Sequence, residues 1–188
     1  MKREKVNGKR KIVKEIELPD TISASINGQF LLIKGPKGEV KRELKQRNTS
    51  IKIDTKKIIF ESSRGGKKDK KIIGSLMSHV KNMIKGSLQK HVYTLKICSG
   101  HFPMNVNISG SMFMVKNFLG EKVPRILQLK DGADVKVEGD LIYITSTSKE
   151  IAGQISAGIE QLTRRPGYDA RIFQDGIYII NKDGKEMK

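Results

Sequence analysis

The sequence predicts an α+β protein, a tandem duplication of one unit in which an antiparallel β-sheet is covered by a single α-helix. Three observations predict it. Apolar residues alternate with period two around glycine-containing turns in both halves of the 188-residue chain. A stretch of helical period follows the strand signals in each half. The same strings also recur in the same order. Ile108-Ser109-Gly110 leads through Met112 to Val115, Lys116 and Gly120-Glu121, as Ile26-Asn27-Gly28 leads through Phe30 to Ile33, Lys34 and Gly38-Glu39, 82 residues earlier. Val135-Lys136-Val137-Glu138 repeats Ile51-Lys52-Ile53-Asp54, and Ile142-Tyr143-Ile144 repeats Ile58-Ile59-Phe60, at a spacing of 84. The length accommodates two small domains of about 90 residues, each large enough for its own core.

In chain order, the first 14 residues hold 7 basic side chains, which predicts a basic N-terminal arm over 1–11, either a flexible binding segment or a merely solvated tail. Alternation at Ile22, Ala24 and Ile26 reaches the turn pair Asn27-Gly28 and resumes in Phe30-Leu31-Leu32-Ile33 as a hairpin. Gly35-Pro36-Lys37-Gly38 turns the chain into a third strand with Val40, Arg42 and Leu44, and a second hairpin has arms Ile51 to Asp54 and Lys57 to Phe60. Ile72, Ile73, Leu76, Met77, Val80, Met83 and Ile84 share one helical face, and Gly86 stands where a helix end takes a left-handed residue. A strand from His91 to Cys98 is expected to close this unit. The second helix carries Ile151, Ile155, Ile159 and Leu162, with Thr147 and Glu150 spaced as a capping box and Pro166-Gly167 ending it. Arg171 to Ile180 is the second closing strand. The predicted organisation is an arm at 1–11, α+β domains at 12–100 and 101–181, and a tail at 182–188.

Lysine and arginine number 37 against 20 acids, a net charge of +17, which favours a polyanionic partner and nucleic acid first. The charge is uneven, with 25 basic and 9 acidic residues in 1–96 and 12 and 11 in 97–188. No apolar run approaches the roughly 18 residues of a membrane span, so no membrane partner is expected. The single cysteine, Cys98, cannot form an internal disulfide, and Met1-Lys2-Arg3-Glu4-Lys5 is followed by more charge where a signal peptide is apolar. Both point to a reducing, intracellular location. Aromatic residues make up 5% with no tryptophan, which makes base stacking a minor theme at most.

Enzymatic motifs are missing. Gly65-Gly66-Lys67-Lys68 lacks the first glycine and the hydroxyl of a phosphate-binding loop, and His79, His91, His101 and Cys98 are scattered. No serine sits in a Gly-x-Ser-x-Gly turn. The expectation is a non-enzyme without cofactor, metal or small-molecule substrate.

Basic clusters are the candidate RNA contacts. Arg64, Lys67, Lys68, Lys70 and Lys71 fill a loop opening the first helix, readable as a phosphate clamp or as a solvated loop. Lys81 and Lys85 read as solvated. Lys116, Asn117, Lys122 and Arg125 surround the turn at Gly120-Glu121, and Arg164, Arg165 and Arg171 flank the end of the second helix. Met112-Phe113-Met114 offers an adaptable surface or, by strand alternation, part of a core. The rival to a structural RNA-binding role is a free-standing RNA-binding regulator, disfavoured by the few aromatics.

Five strings carry a resemblance: Ile33-Lys34-Gly35-Pro36-Lys37-Gly38-Glu39, Ser78-His79-Val80-Lys81-Asn82-Met83-Ile84-Lys85-Gly86, His101-Phe102-Pro103-Met104, Asn117-Phe118-Leu119-Gly120-Glu121-Lys122 and Phe173-Gln174-Asp175-Gly176-Ile177-Tyr178. From about Ile16 to Tyr178 the chain resembles the universal large-subunit ribosomal protein family called L-six in bacteria and L-nine in the eukaryotic cytosol, in its archaeal and eukaryotic form. The resemblance implies two copies of one α+β unit and a structural, ribosome-bound protein. It implies binding to large-subunit rRNA near the sarcin-ricin loop and stalk base, with neighbouring large-subunit ribosomal proteins and translation GTPases close by. It also implies that the second domain makes much of the contact, which ranks Arg164, Arg165 and Arg171 first. The chain departs from the family pattern at Pro166-Gly167-Tyr168-Asp169, where relatives place a basic residue within an Asn-Lys-Asp stretch.

Overall fold

The computed structural model describes residues 3–6, 9–44, 49–54, 56–62, 65–169 and 171–187, with side chains from residue 11 onward. The chain divides into two units, 1–90 and 91–188. In the first unit β1 (Arg3–Val6) pairs with β2 (Lys9–Glu17). β3 (Ser23–Asn27), β4 (Phe30–Gly35) and β5 (Gly38–Glu43) form a three-stranded antiparallel meander. β6 (Thr49–Asp54) and β7 (Lys57–Ser62) complete a second sheet of order β1-β2-β7-β6, and α1 (Lys67–Leu88) packs on both sheets.

The second unit repeats the plan. β8 (His91–Cys98) is followed by the meander β9 (Asn105–Ser109), β10 (Met112–Lys116) and β11 (Arg125–Gln128). Then come β12 (Ala133–Glu138), β13 (Leu141–Ser146), α2 (Lys149–Leu162), β14 (Gly176–Lys182) and the short β15 (Lys185–Glu186), in a sheet of order β12-β13-β8-β14-β15.

The duplication reaches into the cores. Leu31 and Phe113, Ile33 and Val115, and Ile73 and Ile155 are buried pairs at the 82-residue spacing, while Ile58 and Ile142, and Phe60 and Ile144, are buried at 84. The bulk is redistributed between the copies. At these paired positions the first unit has Phe60 on β7 and Leu31 on β4, whereas the second has Phe113 on β10 and Ile144 on β13. Close packing conserves summed volume better than it conserves identity at one position.

Several expectations are corrected. The basic arm expected at 1–11 contains β1 and the start of β2; residues 1, 2, 7 and 8 lie outside the described residues. β2 is held because it pairs along β7 and brings Ile16 into the core. Cross-strand ion pairs join Lys11 to Glu61 (3.1 Å) and Lys57 to Glu15 (3.2 Å). The strand His91–Cys98 forms, but it pairs with β13 on one side and β14 on the other, so it is the centre of the second unit's sheet. The division therefore falls at Lys90/His91, ahead of the expected 100/101.

Gly86 does not end α1, which continues to Leu88. The end is fixed from outside, because the Lys37 amide donates to the Ser87 carbonyl at 3.0 Å and satisfies an otherwise orphaned helix acceptor. Gly35 permits this approach, since a Cβ there would lie 2.8 Å from the Ser87 oxygen. Ser148 rather than Thr147 caps α2, its hydroxyl accepting from the Ile151 amide. The closing strand starts at Gly176 and not at Arg171. The expected tail carries β15, anchored by Asp183, whose amide donates to Val92 and whose carboxylate meets the buried His91 ring at 3.1 Å.

Candidate nucleic-acid interface

The region that sequence reasoning ranked first begins where α2 stops. A helix continued through Pro166 would drive the proline ring into the carbonyl four residues back, at Leu162. Arg125 takes that carbonyl instead, Nη1 donating to it at 2.7 Å. Thr163 finishes the cap, its hydroxyl donating to the Glu160 carbonyl at 3.2 Å and accepting from the Ile177 amide at 2.9 Å. Residues 163–169 and 171–174 lie outside the sheet-and-helix frame, with a turn at Gly167 (φ +85°), and the chain rejoins it after Asp175.

Asp175 is buried and gathers three donors. Its carboxylate accepts from the Gly100 amide (2.7 Å) and the His101 amide (3.0 Å) and pairs with His101 Nδ1. Burial by itself pushes this carboxyl up, yet the two amides and the imidazole outweigh it and hold the group below the usual aspartate range. Midway, Asp169 accepts from the Arg171 amide (2.9 Å), Nε (3.1 Å) and Nη2 (2.9 Å), and the Arg171 hydrogen bonds hold its carboxyl below the ordinary value too.

Between these anchors runs a column of planar groups. His101 stacks on Phe173 with centroids 5.3 Å apart and planes at 29°. Tyr168 meets Phe173 edge to face at 5.1 Å and 87°, and the Arg165 guanidinium lies 4.1 Å over the Tyr168 ring. A groove beside the end of α2 is lined by Leu119, Arg164, Arg165, Tyr168, Phe173 and Tyr178 among others. Leu119 belongs to a short 3-10 turn, Phe118–Gly120, so the groove joins the turn after β10 to the loop after α2.

Arg164, Arg165 and Arg171 are all exposed on this loop. Lys116 ends β10 in solvent, and Lys122 is exposed beyond the 3-10 turn. Asn117 adopts a left-handed conformation (φ 59°) and donates from its side chain to the Pro103 carbonyl at 3.0 Å. Arg125, ranked with these as an RNA contact, has other partners. Its Nε and Nη2 grip the Glu121 carboxylate at 2.8 and 2.6 Å, and its guanidinium lies 4.3 Å over Phe118. The Arg125 hydrogen bonds hold the Glu121 carboxyl low. Three of its donors are therefore engaged within the protein, fastening the turn after β10 to the end of α2.

In the first unit Arg64 lies outside the described residues. Lys67, Lys68, Lys70 and Lys71 are exposed, but they stand on the opening turns of α1 and not in a loop. Asp69 is buried among them, its carboxylate accepting from the Gly66 amide at 3.1 Å. Four lysines at the positive end of a helix oppose its dipole, so this placement costs helix stability and concentrates positive potential.

Tyr168, Phe173, His101 and Asp175 were missed as site residues. Tyr168, Phe173 and Tyr178 are three of only ten phenylalanines and tyrosines in the chain, and their local density was the available signal. His101 lies far away in sequence, and only the fold brings it to Phe173.

The fold and this surface define a basic, duplicated α+β protein with a preorganised cationic and aromatic face suited to a polyanion. Comparison with known proteins makes the class specific. The family model described as Ribosomal protein L6 matches residues 18–89 and 102–176, one segment in each unit, and the chain belongs to that family. Membership makes it a structural ribosomal protein and not an enzyme. It is 42% identical to the large ribosomal subunit protein uL6 of Methanococcus vannielii over 176 residues, covering 94% of this chain and 97% of that one. The same-named proteins of Methanobrevibacter smithii (40%, 92% of this chain and 97% of that one) and Methanothrix thermoacetophila (38%, 91% and 97%) are similar over nearly their full lengths.

Proposed function

We propose that this protein is a structural constituent of the large ribosomal subunit that binds large-subunit rRNA near the sarcin-ricin loop and stalk base. There it supports the region where translation GTPases dock, beside neighbouring large-subunit proteins. The observation that carries the RNA contact is the 163–175 loop. In a second unit with 13 basic and 11 acidic residues over 91–188, Arg164, Arg165 and Arg171 are gathered on one exposed segment whose two ends are fixed by Thr163 and Asp175. A held guanidinium loses less freedom on gripping a phosphate than a lysine on a mobile stem. Lys116 and Lys122, and the lysines opening α1, add further phosphate contacts.

Co-sedimentation tests the ribosomal placement. The protein should travel with the large subunit through a high-salt gradient, whereas a free-standing regulator would stay in the light fractions. For the isolated rRNA segment, affinity should fall steeply with salt, each phosphate contact adding about 0.7 to 0.9 to the log-log slope. A slope near zero would remove the phosphate-binding role of these side chains.

A further inference from the structure

We propose that Tyr168, backed by Arg165, is a stacking seat for one unpaired nucleobase. This inference rests on the rRNA-binding reading above and adds a base contact to what is otherwise phosphate binding. Tyr168 is 45% exposed, well outside the core, although large aromatic rings gain most from burial. It is nevertheless held in place. The Arg165 guanidinium lies over its ring at 4.1 Å, Phe173 meets it edge to face, Phe173 stacks on His101, and His101 is fixed by the buried Asp175 carboxylate. The chain of contacts thus runs from an exposed ring to a buried anchor.

A ring positioned this way is preorganised to stack, and preorganisation lowers the ordering cost of binding. The adjoining groove, with a cavity volume of about 960 Å³, is wide enough for a nucleotide. Arg164 lines the same groove, so a cation for a flanking phosphate is within the site. Arg165 differs, because its guanidinium carbon lies 4.1 Å over the Tyr168 ring. Its part is to hold and polarise the tyrosine. An unpaired base presents a π-face of any sequence to such a platform, and RNA is recognised mainly where its bases are unstacked.

The test uses the full chain with a large-subunit rRNA transcript spanning the sarcin-ricin loop and stalk base, reading affinity, salt slope and chemical reactivity of unpaired nucleotides. Tyr168→Leu keeps an apolar side chain without a π-face. It should weaken binding roughly tenfold or more, leave the salt slope unchanged, and expose one previously protected nucleotide. Tyr168→Phe should bind as the parent does, and Arg165→Lys, which keeps the charge, should lose part of the affinity. A Tyr168→Leu protein that binds within about twofold of the parent, or one that loses every protection at once, overturns the seat. If the parent itself does not bind the transcript, the rRNA reading fails and the seat falls with it.

Discussion

The two units share a frame and differ in how their helices end. α1 runs from Lys67 to Leu88, and the turn between β4 and β5 closes onto its last residues through Lys37 and Ser87. α2 starts 82 residues later, at Lys149, but stops at Leu162. Had it matched α1 in length, it would have run on through the positions that now hold Arg164, Arg165, Pro166 and Tyr168. The corresponding turn after β10 meets the end of α2 through the Arg125 side chain, and Leu119 on that turn lines a groove shared with the released segment. Charge divides the units the opposite way. Residues 1–90 hold 24 basic and 9 acidic side chains, against 13 and 11 in 91–188. One copy carries a broad positive field, and the other gathers its arginines and aromatic rings on one segment, so on the proposed reading the duplication separates long-range attraction from local recognition.

The sharpest way to break this comparison is to move its boundary. A fragment 91–188 should melt cooperatively, whereas 101–188, without β8, should remain unfolded by circular dichroism. β8 is the strand on which both β13 and β14 pair, and removing it strips two ladders of hydrogen bonds and the buried Tyr93, Leu95 and Ile97. A folded 101–188 would show that the second unit does not need its central strand.

The next effect belongs to the first unit alone. Gly35→Val places a branched side chain where even a Cβ would sit 2.8 Å from a backbone oxygen, and the turn must lift from α1. A loss of about 3 kcal/mol in chemical denaturation is expected, at the upper end of overpacking costs. The equivalent position in the second unit, Asn117, is exposed.

These contrasts also mark how far the sequence could be read. The repeat, both helical faces and most strands follow from period and turn chemistry, because those signals are local, but β1, β2, β11 and β15 do not. The partner of His91–Cys98 was not legible: alternation shows that a strand is half-buried but not which sheet receives it. The end of α1 was missed because Gly86 looks like a stop signal, whereas the actual stop comes from Lys37 across the fold. In the site, the arginines could be found by charge counting. Arg125 looked identical to them; Arg171 also grips a carboxylate, Asp169, but its side chain is 90% exposed, whereas Arg125 is 24% exposed and bound to the Leu162 carbonyl and Phe118. Pro166 could be read as a helix end, but the column it makes room for depends on His101 and Asp175 meeting across the unit.

Asp175→Asn sharpens the account of that column. The amide side chain still accepts from Gly100 or His101 but loses the charge, for a cost of about 1.5 kcal/mol. The 163–175 segment should then be cut faster by protease while the first unit is unchanged. The pH dependence has a definite sign. A carboxyl held below its ordinary value in the folded state contributes stability above the unfolded pKa of about 4, and this contribution disappears as pH falls through that value toward the folded one. In the Asn variant this part of the acid sensitivity should be absent, and a parent and variant with identical acid melting curves would remove Asp175 as the anchor.

The smallest effect is a ranking between the units. Replacing Arg164, Arg165 and Arg171 together by glutamine should weaken rRNA binding more than the same change at Lys67, Lys68 and Lys71, by a factor of a few, although the lysines lie in the more positive unit. All six side chains are exposed, so exposure does not decide it. The lysines are point charges radiating from the first turns of a helix, and each should contribute mainly through its share of the field. The arginines sit on one segment held by Asp169 and Asp175, with the Arg165 guanidinium over the Tyr168 ring. Field and geometry can be told apart by salt, because both triple variants should lose about the same slope for equal charge removed while only the arginine variant loses extra affinity at high salt. Matching circular dichroism and melting of each variant to the parent keeps folding out of the comparison. Equal losses at every salt concentration would mean that the second unit binds by charge alone and that the groove left by the shorter helix adds nothing to recognition.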